Sequence, residues 1–187
     1  GCAGLTEIVI PEGVTEIAAE AFHWCKSLTS ITLPKSLRKI GEYAFKGCEN
    51  LSEVHISDIT AWCEIEFHSN PLEYAKKLYV NGDLVENLVI PEGVTEIASH
   101  AFSDCQSLTS ITLPKSLRKI GTRAFSGCVN LSEVHISDIA AWCGIKIDYG
   151  SNPLRYAKKL YLNGDLVENL VIPEGVTEIA SHAFNDY

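Results

Sequence analysis

Residues Ser27 to Gly41 read Ser-Leu-Thr-Ser-Ile-Thr-Leu-Pro-Lys-Ser-Leu-Arg-Lys-Ile-Gly, and the same stretch returns verbatim as Ser107 to Gly121, 80 residues on. A fixed period outranks local propensity, because each copy takes the same conformation and buries its apolar side against its neighbours. Asn50 to Ile59 returns as Asn130 to Ile139 at the same displacement, and Leu84 to Phe102 returns as Leu166 to Phe184, displaced by 82. The two extra residues enter where Glu64 to His68, ahead of Ser69-Asn70-Pro71, becomes Gly144 to Gly150, ahead of Ser151-Asn152-Pro153. An insertion of that kind belongs in a loop.

A shorter unit lies inside the long one, since Pro11 and Pro34 are 23 residues apart and Ser57 takes the same place another 23 on. Each short segment opens with an apolar triplet at i, i+3 and i+5. The copies are Leu5, Ile8, Ile10; Leu28, Ile31, Leu33; Leu51, Val54, Ile56; Val85, Leu88, Ile90; Leu108, Ile111, Leu113; Leu131, Val134, Ile136; and Val167, Leu170, Ile172. The last two members of each triplet alternate inward along a short strand, and strands of successive coils stack in parallel.

In the regular coils a proline ends the strand, and a second short apolar stretch follows, as in Val14 to Ala18 and Leu37 to Ile40. A compact turn comes next, marked by Ala-Phe three residues before a cysteine: Ala21-Phe22 with Cys25, Ala44-Phe45 with Cys48, Ala101-Phe102 with Cys105, and Ala124-Phe125 with Cys128. These rings and thiols are expected to stack on their counterparts about 5 Å away and fill the convex side.

The third segment of each long unit departs from this plan. Ser57 to Ile65 and Ser137 to Ile145 begin with Ser-Asp and continue with apolar residues at helical spacing, which predicts a short helix with Trp62 and Trp142 pointing inward. A second helix is expected to start at Asn70-Pro71 and Asn152-Pro153, since proline suits the first helical turn. Leu78 to Gly82 and Leu160 to Gly164 end in Asn-Gly, a tight-turn signal, and read as extra strands turning back into the next coil.

The composition permits a large core and narrows the partners. Apolar residues make up 46% and charged residues 21% of the 187, enough for one folded domain. The formal net charge of -9 repels polyphosphate, and the 15 Lys and Arg are spread along the chain, so nucleic acid is not an expected ligand. No apolar run approaches the roughly 20 residues that span a bilayer, and no signal-peptide pattern opens the chain. Methionine is absent and the last repeat stops at Tyr187, soon after Ala183-Phe184, so the chain is expected to be a piece of a longer protein, with Gly1 as a cloning remnant. Residues 1–187 read as one solenoid with long units at about 5–84 and 85–166 and a partial unit at 167–187.

Six of the seven cysteines recur with the repeat: Cys25, Cys48, Cys63, Cys105, Cys128 and Cys143. Periodicity favours stacked, buried thiols, with disulfides between adjacent coils as the alternative; no C-x-x-C suggests a metal, and Cys2 stands outside the pattern. His55 and His135 lie between inward residues and are turned outward by alternation, each flanked by acids, Glu53 with Asp58 and Glu133 with Asp138. Several coils separate the two, too far for one ion, so solvated strand histidines are expected. His100 and His182, ahead of Ala-Phe, read as surface residues. Nucleophile elbow, H-E-x-x-H, phosphate-cradling loop and EF-hand patterns are all lacking, and the evenly repeated glutamates offer no singular carboxylate pair. No catalytic residue, cofactor or metal is therefore expected.

These residues together resemble the BspA-like leucine-rich-repeat family, whose repeats read like Leu108-Thr-Ser-Ile-Thr-Leu-Pro114 followed by Ile120-Gly121, Ala124-Phe125 and Gly127-Cys128. The resemblance runs from about Leu5 to Tyr187. The Trp-Cys and Leu-Tyr-x-Asn-Gly segments look like a variant repeat found within that family. It implies an α/β leucine-rich-repeat solenoid with short parallel strands, coils of about 23 residues, and irregular coils carrying a helix and hairpin. It also implies a secreted or cell-surface setting, in bacteria above all, with adhesion to a protein, such as a host extracellular protein, or to a glycan. The family carries no general catalytic motif onto this chain.

Such a solenoid exposes one row of outward strand residues per coil. The central positions are Val9, Thr32, His55, Val89, Thr112, His135 and Val171. The candidate binding face consists of Thr32, His55, Thr112 and His135, with Tyr79 and Tyr161 on the added strands as aromatic anchors or, alternatively, core residues. Two functional readings follow, a non-catalytic recognition or adhesion module and a spacer or stalk that carries another domain.

Overall fold

The computed structural model describes residue 2 and residues 4–185. Gly1 and Tyr187, the ends at which the sequence suggests cutting, lie outside them.

In chain order the first long unit forms β1 (Glu7–Val9), β2 (Glu16–Ile17), β3 (Ser30–Thr32), β4 (Lys39–Ile40), β5 (Glu53–Ile56), α1 (Ile59–Cys63), β6 (Glu66–Phe67), α2 (Leu72–Ala75), β7 (Leu78–Val80) and β8 (Asp83–Leu84). The second repeats the order as β9 (Asn87–Val89), β10 (Glu96–Ile97), β11 (Ser110–Thr112), β12 (Lys119–Ile120), β13 (Glu133–Ile136), α3 (Ile139–Cys143), β14 (Lys146–Ile147), α4 (Leu154–Ala157), β15 (Leu160–Leu162) and β16 (Asp165–Leu166).

Alternate strands pair because each coil lays down two, one on the strand face and one on the lateral face. On the strand face β1, β3, β5 and β7 stack in parallel, and on the lateral face β2, β4 and β6 do the same. The register advances one coil at a time: Ile8 faces Ile31, Ile31 faces Val54, and Val54 faces Leu78. These inward side chains merge with the turn residues into one core cluster that runs from Ile17 to Leu160. The expected stacking in the turns holds as well, with the Phe22 and Phe45 rings, and the Phe102 and Phe125 rings, both 5.5 Å apart and stacked.

Glycine is required where coils approach most closely. A Cβ on Gly121 would lie 2.6 Å from Ser99 N, and one on Gly41 would lie 2.8 Å from Ala18 C, so the lateral turn admits no side chain.

The variant coils form as the sequence predicts. Asp58 caps α1, its side chain accepting from Ala61 N at 3.1 Å, and Trp62 on that helix is 1% exposed. Pro71 precedes α2, and β7 turns into β8 through Asn81 (φ 52°) and Gly82 (φ 91°), both left-handed as a type I′ hairpin requires. The insertion forms a turn at Tyr149 and Gly150 after β14.

Three features differ from the sequence reading. The strand face is not one continuous sheet: the hairpin strand β8 runs antiparallel and occupies the edge of β7, so β9 begins a second five-stranded sheet, as β16 ends it. The seventh triplet, Val167, Leu170 and Ile172, forms no strand. Its counterpart β9 pairs only with β11 of the coil after it, and the described residues hold no coil after 167–185. His100 is half-buried rather than on the surface, although His182 is exposed.

Two side chains bridge the sheet break. Trp62 Nε1 donates to Ala101 O at 2.9 Å, and Asn70 Nδ2 donates to His100 O at 2.6 Å and Ala101 O at 3.2 Å, while Asn70 Oδ1 accepts from Leu72 N at 2.9 Å. The second unit repeats the device, Trp142 Nε1 donating to Ala183 O and Asn152 Nδ2 to His182 O. Replacing Asn70 with alanine orphans Leu72 N, while His100 O keeps its bond from Ser103 N at 3.0 Å and Ala101 O keeps its bond from Trp62. An orphaned buried group costs about 1–3 kcal/mol, so Asn70→Ala is expected to lower the unfolding free energy by about that much in a urea titration; an unchanged midpoint would remove this junction from the account.

Candidate functional site

The parallel register decides which outward side chains meet. Val9 faces Thr32, Thr32 faces His55, and His55 faces Tyr79, and the second unit aligns Val89, Thr112, His135 and Tyr161 in the same order. The six residues expected to form the binding face thus fall into two rows of three, each extended by a valine that is 71% exposed at Val9 and 61% at Val89. The structure does not join the rows into one ladder, because the hairpins separate the sheets.

Each row ends in a packed cluster. The His55 and Tyr79 rings stack at 4.7 Å, and the His135 and Tyr161 rings at 4.6 Å. His55 Nε2 lies 2.9 Å from Glu53 Oε2, His135 Nε2 lies 3.2 Å from Glu133 Oε2, and the Tyr161 hydroxyl donates to Glu133 Oε1 at 3.5 Å. Both histidines are half-buried, which corrects the expectation of freely solvated imidazoles: the tyrosine on the adjacent strand covers one ring face. Both tyrosines are also half-buried, with one ring face held by the histidine, so they are partly fixed and lie outside the core. Val171, the seventh central position, lies on no strand and aligns with neither row.

Among the described residues no three His, Cys, Asp or Glu converge as a metal set. His100 sits beside Arg123, and burial first, then that guanidinium, holds its imidazole below the ordinary value. All seven cysteines are free thiols, the six repeating ones buried and Cys2 exposed. Cys48 Sγ donates to Phe22 O and Cys128 Sγ to Phe102 O, both at 3.1 Å, so the thiols tie each turn to the preceding one. Burial pushes Cys48 up to about 11 and Cys63 up to about 12, and raises Cys105, Cys128 and Cys143 as well.

Some structural roles carry weaker sequence signals. Asn70 and Asn152 were legible as helix starts but not as bridges to the next unit, since a bond spanning 30 residues leaves no local pattern. Tyr74 and Tyr156 accept from Gly47 N and Gly127 N, which a comparison of the two units would flag only by their equivalent positions.

Residues 1–76 and 73–187 both match the family described as BspA type leucine rich repeat region, in six copies. The chain belongs to that family. Among solved structures, this BspA-type chain is similar to a leucine rich cell surface protein from Faecalibacterium prausnitzii, at 30% identity over 77% of this chain and 35% of that one, with a TM-score of 0.43. A leucine rich repeat protein of T. pallidum is 28% identical over 70% of this chain and 58% of its own, with a TM-score of 0.39. One from Bacteroides ovatus is 25% identical over 90% of this chain and 52% of its own, with a TM-score of 0.41. The BspA-type chain therefore spans between 35% and 58% of the length of these three. No curated protein matches it. Among the described residues, no helix is long and apolar enough to cross a membrane.

Two outcomes follow for the thiols of this repeat domain. A water-soluble thiol reagent at pH 8 is expected to modify Cys2 alone in the native protein and all seven cysteines after denaturation, read by intact mass; rapid labelling of a repeat cysteine would contradict the stacked-thiol core. A thiol pKa raised by folding favours the protonated native state, so its contribution is complete below the unfolded value near 9 and is lost as pH rises through about 11 to 12. Stability to urea is expected to fall between pH 9 and 11 by up to about 1.4 kcal/mol per pH unit for each such group, and to fall less in a Cys63→Ala/Cys128→Ala variant.

Proposed function

We propose that this chain is a non-catalytic recognition module of a secreted or cell-surface protein, which binds a protein partner across the two strand-face rows. One contrast between the two long units carries the reading. In the second and third coils the outward strand residues are the same in both units: Thr29, Ser30, Thr32, Ser52, Glu53 and His55 match Thr109, Ser110, Thr112, Ser132, Glu133 and His135. At the turn edge, side chains that are mostly more exposed have diverged: Trp24 stands against Asp104, Tyr43 against Arg123 and Glu49 against Val129.

Thr32 and His55 are half-buried yet still reach solvent, so core packing alone does not dictate them. A spacer needs only the core and the coil-to-coil bonds, and places no separate demand on Thr32 or His55. A partner that lies across the strand face does. The aromatic anchor and its fixed histidine also suit the centre of a protein interface, where partly immobilised rings lose little entropy on binding. Family membership supports the binding role, because leucine-rich-repeat domains generally bind proteins, and the cell-surface description of the F. prausnitzii relative supports the location.

The test is capture from a defined panel of purified extracellular proteins and glycans by the wild-type chain and by a variant with Thr32, His55, Thr112 and His135 changed to lysine. Capture by the wild type with at least about tenfold weaker binding by the variant is expected. Equal capture would move the binding site off the strand face, and no capture by either would favour the spacer.

A further inference from the structure

The lateral sheet, on a different face of each coil from the proposed recognition rows, is interrupted after the first variant coil. β6 pairs back to β4, and the next lateral strand, β10, pairs forward to β12, so β6 and β10 turn free edges toward one another. The bonds identify the free groups. Glu66 N and His68 N donate to Arg38 O at 2.8 Å and Ile40 O at 2.9 Å. Alternation along the strand then turns the amide and carbonyl of Phe67, between them, away from β4. Thr95 O and Ile97 O accept from Arg118 N and Gly121 N, both at 2.8 Å, which turns the backbone of Glu96 toward β6. Among the described residues a single backbone bond joins the segments that flank the gap, Ala98 N to Cys63 O at 2.9 Å, and it reaches the end of α1 rather than β6.

The gap forms an open cleft of about 550 Å³ with Ile65 and Phe67 on its apolar side. Three carboxylates, Glu64, Glu66 and Glu96, line it, and no lysine or arginine does. Glu66 pairs with His68 at 2.7 Å and Glu96 with Lys119 at 2.5 Å, while Glu64 has no ion pair among the described residues. The second unit contains the equivalent cleft, about 530 Å³, with Gly144 and Lys146 where the first has Glu64 and Glu66. Shape is thus shared and charge is not.

An exposed strand edge accepts an extended peptide through main-chain bonds, while the side chains that flank it select the sequence. We propose that the cleft between β6 and β10 takes an extended, lysine- or arginine-bearing segment of a partner protein as an added strand, its backbone meeting the free edge at Phe67 and its cations meeting Glu64, Glu66 and Glu96. The segment's alternate side chains point to the two faces of the lateral sheet, so apolar or small residues fall toward Ile65 and Phe67 and basic ones toward the carboxylates. The second cleft, with Lys146 on its wall, is the internal counter-example and does not take that segment. This site is separate from the strand-face rows, and each stands or falls without the other.

The experiment titrates the whole chain, isotopically labelled, with a short peptide of alternating lysine and threonine, and with its alternating glutamate and threonine counterpart. Amide shifts are expected at residues 64–68 and 96–99, with slowed hydrogen exchange at Phe67 and Glu96, for the basic peptide only, and with binding that weakens as salt rises. Glu64→Gly/Glu66→Lys gives the first cleft the residues of the second and is expected to weaken binding at least about tenfold. Glu20→His/Glu42→Thr/Glu49→Val changes the net charge equally at the turn edge, again with residues the second unit carries, and is expected to bind as wild type. Equal weakening by both variants, shifts spread over the surface, or shifts confined to residues 29–32 and 52–55 would overturn the proposal, as would binding of the acidic peptide or of neither.

Discussion

A coil of about 23 residues has no interior of its own. Its inward leucine and isoleucine are bracketed by solvent until another coil covers them, so the fold depends on successive coils stacking in one register. Ile31 is fully buried because Ile8 and Val54 flank it across the ladder, while Leu170, with no following strand to pair with, is 38% exposed. Backbone bonds enforce the same register. Thr29 Oγ1 donates to Thr6 O, and Ser52 Oγ to Thr29 O, each across 23 residues, so even exposed hydroxyls spend their donors on the neighbouring coil. The closeness of these coils explains why Gly121 admits no side chain and why small thiols recur in the turns.

The variant coil relaxes that constraint at a chosen place. It holds two short helices and a hairpin, and the hairpin closes one strand-face sheet before the next begins. Across the break no strand ladder continues, and the backbone bonds that remain are few, among them Ala98 N to Cys63 O and Gln106 N to Lys76 O. Trp62 and Asn70 add to them by donating to the carbonyls of His100 and Ala101. A recurring break gives this repeat protein two kinds of surface, a register-locked strand face and lateral clefts where strand edges stay open. The first is nearly the same in both units, whereas the second differs in charge, with Glu66 in one unit and Lys146 in the other.

Much of this was legible from the sequence because identical segments must fold alike. The triplets located the strands, the Ser-Asp and Asn-Pro pairs located the helices, and Asn81-Gly82 located the hairpin turn. What escaped the reading depends on neighbours distant in the chain. Nothing near Leu84 states that β8 will take the edge of β7, because that outcome rests on whether the returning strand or the next coil reaches the edge first. The Tyr79 ring over His55 was likewise hidden: alternation turned both outward, but their contact needs the strand register between β5 and β7. Half-burial of His100 comes from packing of the turn against the variant coil before it and Arg123 after it, neither of which is visible in the residues around it.

Stacking in chain order is what places Thr32, His55 and Tyr79 in one row, and the proposed strand-face recognition uses that placement. Interstrand amide-to-Hα NOEs measured on the labelled protein test it most directly. The account predicts contacts linking residues 30–32 to 53–55 and 54–56 to 78–80 in parallel register, antiparallel contacts between Tyr79 and Leu84, and none between β8 and β9. Contacts that pair these strands out of chain order, or shift β5 against β7 by one residue, would contradict it.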